Sequence, residues 1–472
     1  MGVKKILFIA SATQFACYPP SGILSIAAFI REHNIDVEII DYSGLEIDAK
    51  KVERDIIRSN AEMVALGVLT GPGITRAMMI SDVAKKLGKY IVWGGPHATV
   101  LPEMTLSYRS VDAVILGEGE YALLELINYI ENNREGEKPK GVWIKEDNKI
   151  VTSPAQDKFI DMNKKPMPAW GLLKNIDRYF PYKKHNLVII EATRGCPYRC
   201  GFCHHASDDV KNYGGFYREV SADKVMEQFN YISGLTKKHI DRMDIGGDLH
   251  LTNERYSKRF IQDMIVIGND VKWLSVSRFD LMTNEIAEML PQAGCEGIML
   301  GVESGSKRIQ GMLGKMVDLP KAVKVAKTLR KNYVLLTNTY MMGHPDETID
   351  ELKATLYYLK KIPADQNLLQ IYRPFPGTPY FNVFIQKNKV NVPRRLEDYN
   401  TFGVLGHHAN ISRIPTNMLY REFYRVNLVE QGKHLINLQK YYWRNKMYGQ
   451  FVDGMKNNKF TFKVKEYLAV GR

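Results

Sequence analysis

The chain has 472 residues, 45% hydrophobic and 25% charged, with a formal net charge of +13. That is room for two or three domains at roughly 100–200 residues each, and no apolar run reaches the roughly 18 residues of a membrane-spanning helix. Five cysteines, an odd number with three crowded into positions 196–203, argue against a secreted disulfide scaffold and for a reduced, cytoplasmic setting.

The elements follow in order. MGVKKILFIASATQF could pass for a weak signal peptide, but KKILFIA (4–10) reads better as a first strand, because no small-residue cleavage site follows. SGILSIAAFIREH (21–33) has apolar residues at helical spacing. DVEIIDY (36–42), AEMVALGV (61–68), KYIVWGG (89–95) and VDAVILGEG (111–119) are further strands, with helices such as 74–88 between them. Short apolar strands alternating with amphipathic helices predict a doubly wound parallel sheet. Ligands of such sheets sit at the carboxyl ends of the strands. The glycine-rich turns lie there: Ser11 to Cys17, Thr70-Gly71-Pro72-Gly73, Gly94-Gly95-Pro96-His97 and Gly117-Glu118-Gly119-Glu120. Residues 136–183 read as a linker with a short hairpin, GVWIKEDNKIV, crossing the surface between domains.

A second alternation starts near Leu187 with LVIIEA. Five more strands follow, MDIGG, VKWLSVS, EGIMLGV, YVLLTNTYM and NLLQIYR, each separated by helical stretches. This predicts a partial (β/α)6 barrel with its active groups at the strand carboxyl ends. The expected organisation is α/β: residues 1–135 a doubly wound domain, 136–183 a linker, 184–383 the partial barrel, and 384–472 a small helical, basic C-terminal domain. From Phe381 to Arg472 there are 16 Lys/Arg against 6 Asp/Glu.

RGCPYRCGFCHH (194–205) carries Cys196, Cys200 and Cys203. Three thiolates on one loop suit an iron–sulfur cluster with one iron left open. Zinc, with His204 or His205 as a fourth ligand, is the alternative. CPYRCGFC resembles the C-x3-C-x2-C signature of radical S-adenosylmethionine (SAM) enzymes, with Phe202 as the aromatic before the third cysteine, and the resemblance runs over about 187–381. It implies a 4Fe-4S cluster and SAM as cofactors. It also implies SAM contacts from Phe202, from Gly246, Gly247 and Asp248, where Asp stands in place of the usual Glu, and from Ser275, Arg278 and Glu303. Helix capping competes as the role of Ser304 and Ser306.

PPSGILSIAAFI, GGPHATVLPE and DAVILGEGE together resemble the cobalamin-binding domain that precedes many radical SAM enzymes. The resemblance implies cobalamin held by Thr70, Gly71, Gly73, Gly94, Gly95, His97, Gly117, Glu118 and Gly119. No D-x-H-x-x-G string is present, so no protein histidine is expected on cobalt. Cys17 and Cys295 read as buried cysteines.

The combination implies a cobalamin-dependent radical SAM methyltransferase. In that reading a 5′-deoxyadenosyl radical takes hydrogen from an unactivated carbon of a small molecule and methylcobalamin donates the methyl group. A cyclase or oxidoreductase without methyl transfer is the other reading, since both branches share these strings. Tyr340 and Tyr372, near strand ends, are candidates for substrate contact or simply core aromatics. An electron donor such as flavodoxin or ferredoxin is the implied partner. The basic tail suggests peripheral contact with an anionic membrane. RNA is the less expected partner, because the first domain has only Cys17 where RNA methylthiotransferases carry three cysteines.

Overall fold

The computed structural model describes residues 2–11, 18–182, 186–268, 270–386, 393–401 and 410–444. Cys17, most of the turn before it, and the most basic stretches of the tail lie outside these residues. The chain forms two compact units: Met1–His250 with Asp270–Lys272 and Pro374–Val404, and Leu251–Asn269 with Trp273–Arg373 and Leu405–Arg472.

In the first unit, β1 (Lys5–Ala10), β2 (Asp36–Asp41), β3 (Met63–Gly67), β4 (Tyr90–Gly94) and β5 (Ala113–Ile115) form a parallel sheet. Its order is β2-β1-β3-β4-β5, with β6 (Val142–Glu146) and β7 (Lys149–Val151) added at the edge. The central strands are buried nearly end to end, as strands covered on both faces must be. The predicted hairpin forms, but it does not merely cross the surface. β6 pairs antiparallel with β5, Ala113 opposite Ile144. The alternation in VWIKE explains this: Val142 and Ile144 are both 1% exposed, so one face of the hairpin belongs to the core. The chain after it is also tied down, with Ile160, Met162, Lys165 and Trp170 buried. Leu396 and Tyr399 join the core of the first sheet, and Thr75 bonds Asn400 at 2.8 Å.

The second sheet begins with β8 (Asn186–Glu191). A short antiparallel ribbon follows, β9 (Thr193–Arg194) with β10 (Arg218–Glu219). Then come β11 (Ile240–Gly246), β12 (Lys272–Arg278), β13 (Cys295–Glu303), β14 (Leu335–Met342) and β15 (Gln366–Ile371). The order is β15-β14-β13-β12-β11-β8, the six-stranded partial barrel expected from the alternation. Within the second unit, β14 alternates half-buried and buried residues along its length. The helix Ile349–Lys361 starts at a capping box between Thr348 and Glu351, which satisfies backbone donors that a helix start otherwise leaves open. The long helix Thr416–Arg444 packs on β15, where Asn427 Nδ2 donates to the Leu369 carbonyl at 3.1 Å. Among the described residues no helix is long and apolar enough to cross a membrane.

Candidate active site

A cavity of about 760 Å³ opens at the carboxyl edge of the first sheet. One wall is the turns after β3, β4 and β5, including Thr70, Gly71, Gly73, Gly94, Gly95, Gly117, Glu118 and Gly119. The opposite wall is the cysteine loop and the end of β11, with Gly195, His204, His205 and Asp248. Every lining residue belongs to the first unit. Tyr18 and Leu69 stand 68% and 65% exposed beside these turns, apolar surface left for a ligand to cover.

The glycines are demanded by backbone geometry. Gly95 has φ +93°, and a Cβ there would meet the Val68 carbonyl oxygen at 3.0 Å. Gly117 has φ +75°, and a Cβ would fall 1.8 Å from the Tyr213 carbonyl oxygen. Only glycine takes such conformations at no steric cost. A cradle of bare backbone, with large apolar groups at its rim, fits a broad rigid ligand such as cobalamin.

His97 lies behind this wall and does not line it. It is fully buried, its Nδ1 is 3.0 Å from Thr70 Oγ1, and its ring packs edge-on against Tyr399 at 5.4 Å. Burial pushes its pKa down to about 4, so the ring is neutral and acts on the cavity through Thr70. Its Nε2 has no hydrogen-bond partner among the described residues.

Cys196, Cys200 and Cys203 form no disulfide. The Cys203 N–H donates to the Cys200 carbonyl at 2.9 Å, folding the loop back on itself. Burial pushes the Cys203 thiol up to about 11, so a thiolate there needs a cation beside it. Structural zinc takes four protein ligands, whereas a cubane with one open iron takes three thiolates. His205 is already committed: its Nε2 is 2.9 Å from Asp248 Oδ1. The donor set therefore fits an iron–sulfur cluster better than zinc. Phe202 is half-buried on the same loop.

β11 ends in Gly246-Gly247-Asp248. Gly247 has φ +130°, and a Cβ would meet the Thr193 carbonyl at 2.2 Å. The glycine lets β11 pass the ribbon and brings Asp248 to the cavity. The Asp248 carboxylate also accepts the Gly195 N–H. Burial opposes its charge, but the His205 and Gly195 hydrogen bonds hold its pKa below the ordinary value.

The cavity wall also contains a charge network that the motifs did not reveal. Arg194 reaches Glu191 and Glu120 at 2.8 Å and Glu118 at 3.2 Å. Arg218 pairs with Glu118, and buried Lys165 with Glu191. Burial disfavours the Glu191 charge, yet Arg194 and Lys165 hold its pKa down at about 2. The visible signal was Arg194 next to the cysteine motif and the second glutamate of GEGE. Lys165 lay in a stretch read as linker.

In the second unit, Ser275 is buried in β12, and Arg278 at its end pairs with Asp280 at 2.8 Å. Glu303 ends β13 at φ +66°. Its carboxylate meets Lys315 Nζ at 2.7 Å and Thr339 Oγ1 at 3.3 Å. The Tyr340 hydroxyl donates to the Tyr358 carbonyl of the helix Ile349–Lys361 at 3.4 Å, and the residue is fully buried. It is a sheet-to-helix packing residue with no surface for a substrate. Tyr372 is 2% exposed, its ring 5.6 Å from that of His344. Glu347 nearby accepts the His344 N–H at 3.0 Å, and burial pushes its pKa up to about 7.

Comparison with known proteins agrees with this layout. A B12 binding domain model matches residues 9–127 and a radical SAM superfamily model matches residues 190–359. An uncharacterized methyltransferase of Pyrococcus horikoshii is 28% identical over 408 residues, covering 82% of this chain and 84% of its own length. The anaerobic magnesium-protoporphyrin IX monomethyl ester cyclase of Rubrivivax gelatinosus is 25% identical, covering 79% and 67%. The fold is shared with the radical SAM methyltransferase TsrM of Kitasatospora setae, solved with cobalamin and an iron–sulfur cluster bound. That match has a TM-score of 0.69 at 16% identity, covering 84% of this chain and 76% of the other. With a B12 binding domain followed by a radical SAM domain in one chain, this protein belongs to the cobalamin-dependent radical SAM enzymes.

Proposed function

We propose that the protein is a cobalamin-dependent radical SAM methyltransferase acting on an unactivated carbon of a small molecule. The observation that carries the reading is one cavity walled by both the glycine turns and the cysteine loop. The similarity to the Pyrococcus methyltransferase over most of both chains supports it. Bound there, the cofactors supply a hydrogen-abstracting carbon radical and a transferable methyl group. The chain's own residues bind and orient. Cys196, Cys200 and Cys203 hold the cluster. The backbone of Thr70–Gly73, Gly94-Gly95 and Gly117–Gly119 takes cobalamin. Gly246, Gly247, Asp248, Ser275, Arg278 and Glu303 are proposed to serve SAM. Tyr372, 2% exposed, is packed nearly as closely as Tyr340 and is not proposed as a substrate contact. The apolar rim excludes water and stray hydrogen donors from a reactive site.

The partner in this proposal is a one-electron donor of the flavodoxin or ferredoxin type, in an anaerobic cytoplasm, with peripheral contact to an anionic membrane through the basic C-terminal sequence. Similarity to the Rubrivivax cyclase favours a second reading, radical ring formation without methyl transfer. The test is anaerobic reconstitution with iron, sulfide and hydroxocobalamin, then reductant and SAM without substrate. Mass spectrometry of the extracted cobalamin is expected to show methylcobalamin. Cobalamin that binds and stays unmethylated would favour the cyclase reading.

A further inference from the structure

β9 and β10 close the base of the cysteine loop, residues 195–217, and their antiparallel register sets Arg194 directly opposite Arg218. Like charges at opposed positions repel, and a ribbon of two residues per strand has little of its own to hold it. Glu118 lies between them. Its Oε2 is 3.2 Å from Arg194 Nη1 and 3.1 Å from Arg218 Nη1, and its Oε1 takes the second Arg218 nitrogen. All three side chains are 12–16% exposed, so solvent screens the repulsion poorly. The backbone seals the same junction: the Glu118 N–H donates to the Tyr213 carbonyl at 3.2 Å, against the glycine at 117 that has no room for a Cβ. Arg218 is fixed further by the Ile160 and Gly214 carbonyls and stacks over Phe216 at 4.3 Å. Glu118 thus belongs at once to a turn lining the cavity and to the closure of the loop that carries the cysteines.

We infer that Glu118 is a charge clasp. It bridges Arg218 to Arg194, whose charge Glu120 and Glu191 also meet, closes the cluster loop against the cobalamin-side wall, and couples cobalamin affinity to cluster occupancy. This makes the Glu118 side chain a positioning group, with only its backbone proposed to face cobalamin. The inference rests on the cofactor assignment above but not on methyl transfer, and its test reads binding alone. Coupling between two sites is reciprocal and commonly 5- to 150-fold.

Hydroxocobalamin is titrated by its absorbance into cluster-loaded and cluster-stripped full-length protein. Wild type is expected to bind about tenfold more tightly when loaded. Glu118→Gln removes the one carboxylate shared by both arginines, so that Arg218 loses its acidic partner while Arg194 keeps Glu120 and Glu191, and it is expected to lose that difference. Glu118→Gln combined with Arg218→Gln removes the repulsion and is expected to recover most of it. Absence of a difference in wild type, retention of it in Glu118→Gln, or equal loss in the single and double variants would each overturn the inference. If Glu118→Gln does not fold, a folded and coupled double variant supports the clasp, and a double variant that also fails to fold overturns it.

Discussion

The cavity edge of the first unit and the strand ends of the second are built in opposite ways. The first is built from missing side chains: Gly95 and Gly117 bring bare backbone to the surface because a Cβ would strike Val68 or Tyr213. The second is built from side chains locked in pairs, Arg278 with Asp280 and Glu303 with Lys315. A backbone cradle accommodates a wide rigid ligand with few specific contacts. Charges locked in buried pairs instead hold their own strand ends in place, and losing one partner strands the other. The two regions should therefore fail differently.

The largest effect is expected from Cys200→Ala, which removes one cluster thiolate. Cluster absorbance and reductive SAM cleavage should vanish while cobalamin still binds, more weakly. Residual SAM cleavage would break the assignment of the loop. Next is Lys315→Met. It leaves Glu303 buried without its cation, a change worth on the order of 3 kcal/mol or more, read as a fall in melting temperature. Adding Glu303→Gln should return much of that loss, since the uncompensated charge is the cause. A double variant no better than the single would mean that Lys315 matters for packing instead.

Gly117→Ala sharpens the other half of the comparison. Gly88 also has positive φ, but a Cβ there would meet nothing within 4 Å, so Gly88→Ala should cost only the left-handed strain of roughly 1–2 kcal/mol. Gly117→Ala adds overpacking against backbone, roughly another 1–3 kcal/mol, and should also weaken cobalamin. Equal melting temperatures for the two variants would remove the close-packing argument.

The smallest effect is expected at the surface pair Arg308–Glu351, 2.7 Å apart with Arg308 half exposed. The Arg308 hydrogen bond holds the Glu351 pKa at about 2, below the ordinary 4.5. Its stabilisation is therefore present above about pH 4.5 and lost as the pH falls toward 2. Exposure limits it to roughly 1 kcal/mol or less. Arg308→Gln should flatten that acid limb slightly in a pH series of thermal melts. A loss as large as that of Lys315→Met would contradict the ranking by burial.

Much of the architecture was legible because periodicity is local. The five parallel strands of the first sheet and the six strands of the second fall where the apolar runs lie, and the turns after β3, β4 and β5 line the cavity. His97 was legible as a motif residue but not in its position, because whether a side chain faces a cavity or backs its wall depends on the packing of Thr70 and Tyr399. Tyr340 illustrates the same limit: one residue of alternation decides between barrel interior and helix-facing side. Lys165, in a proline-rich stretch that reads as a surface linker, is buried against Glu191. Nothing local marks a lysine whose partner lies at a distant strand end.

The sequence by itself determined the element order, the carboxyl-edge turns and the spacing of the three cysteines. These rest on residue type and short-range spacing, and so on the chain's own covalent geometry. Only the tertiary structure decided which charges meet. Arg194 stands opposite Arg218 through a ribbon register, and Glu118 arrives between them from a different sheet. Coulomb interactions depend on distance and burial, and for residues so far apart in sequence both are set only when the chain has folded.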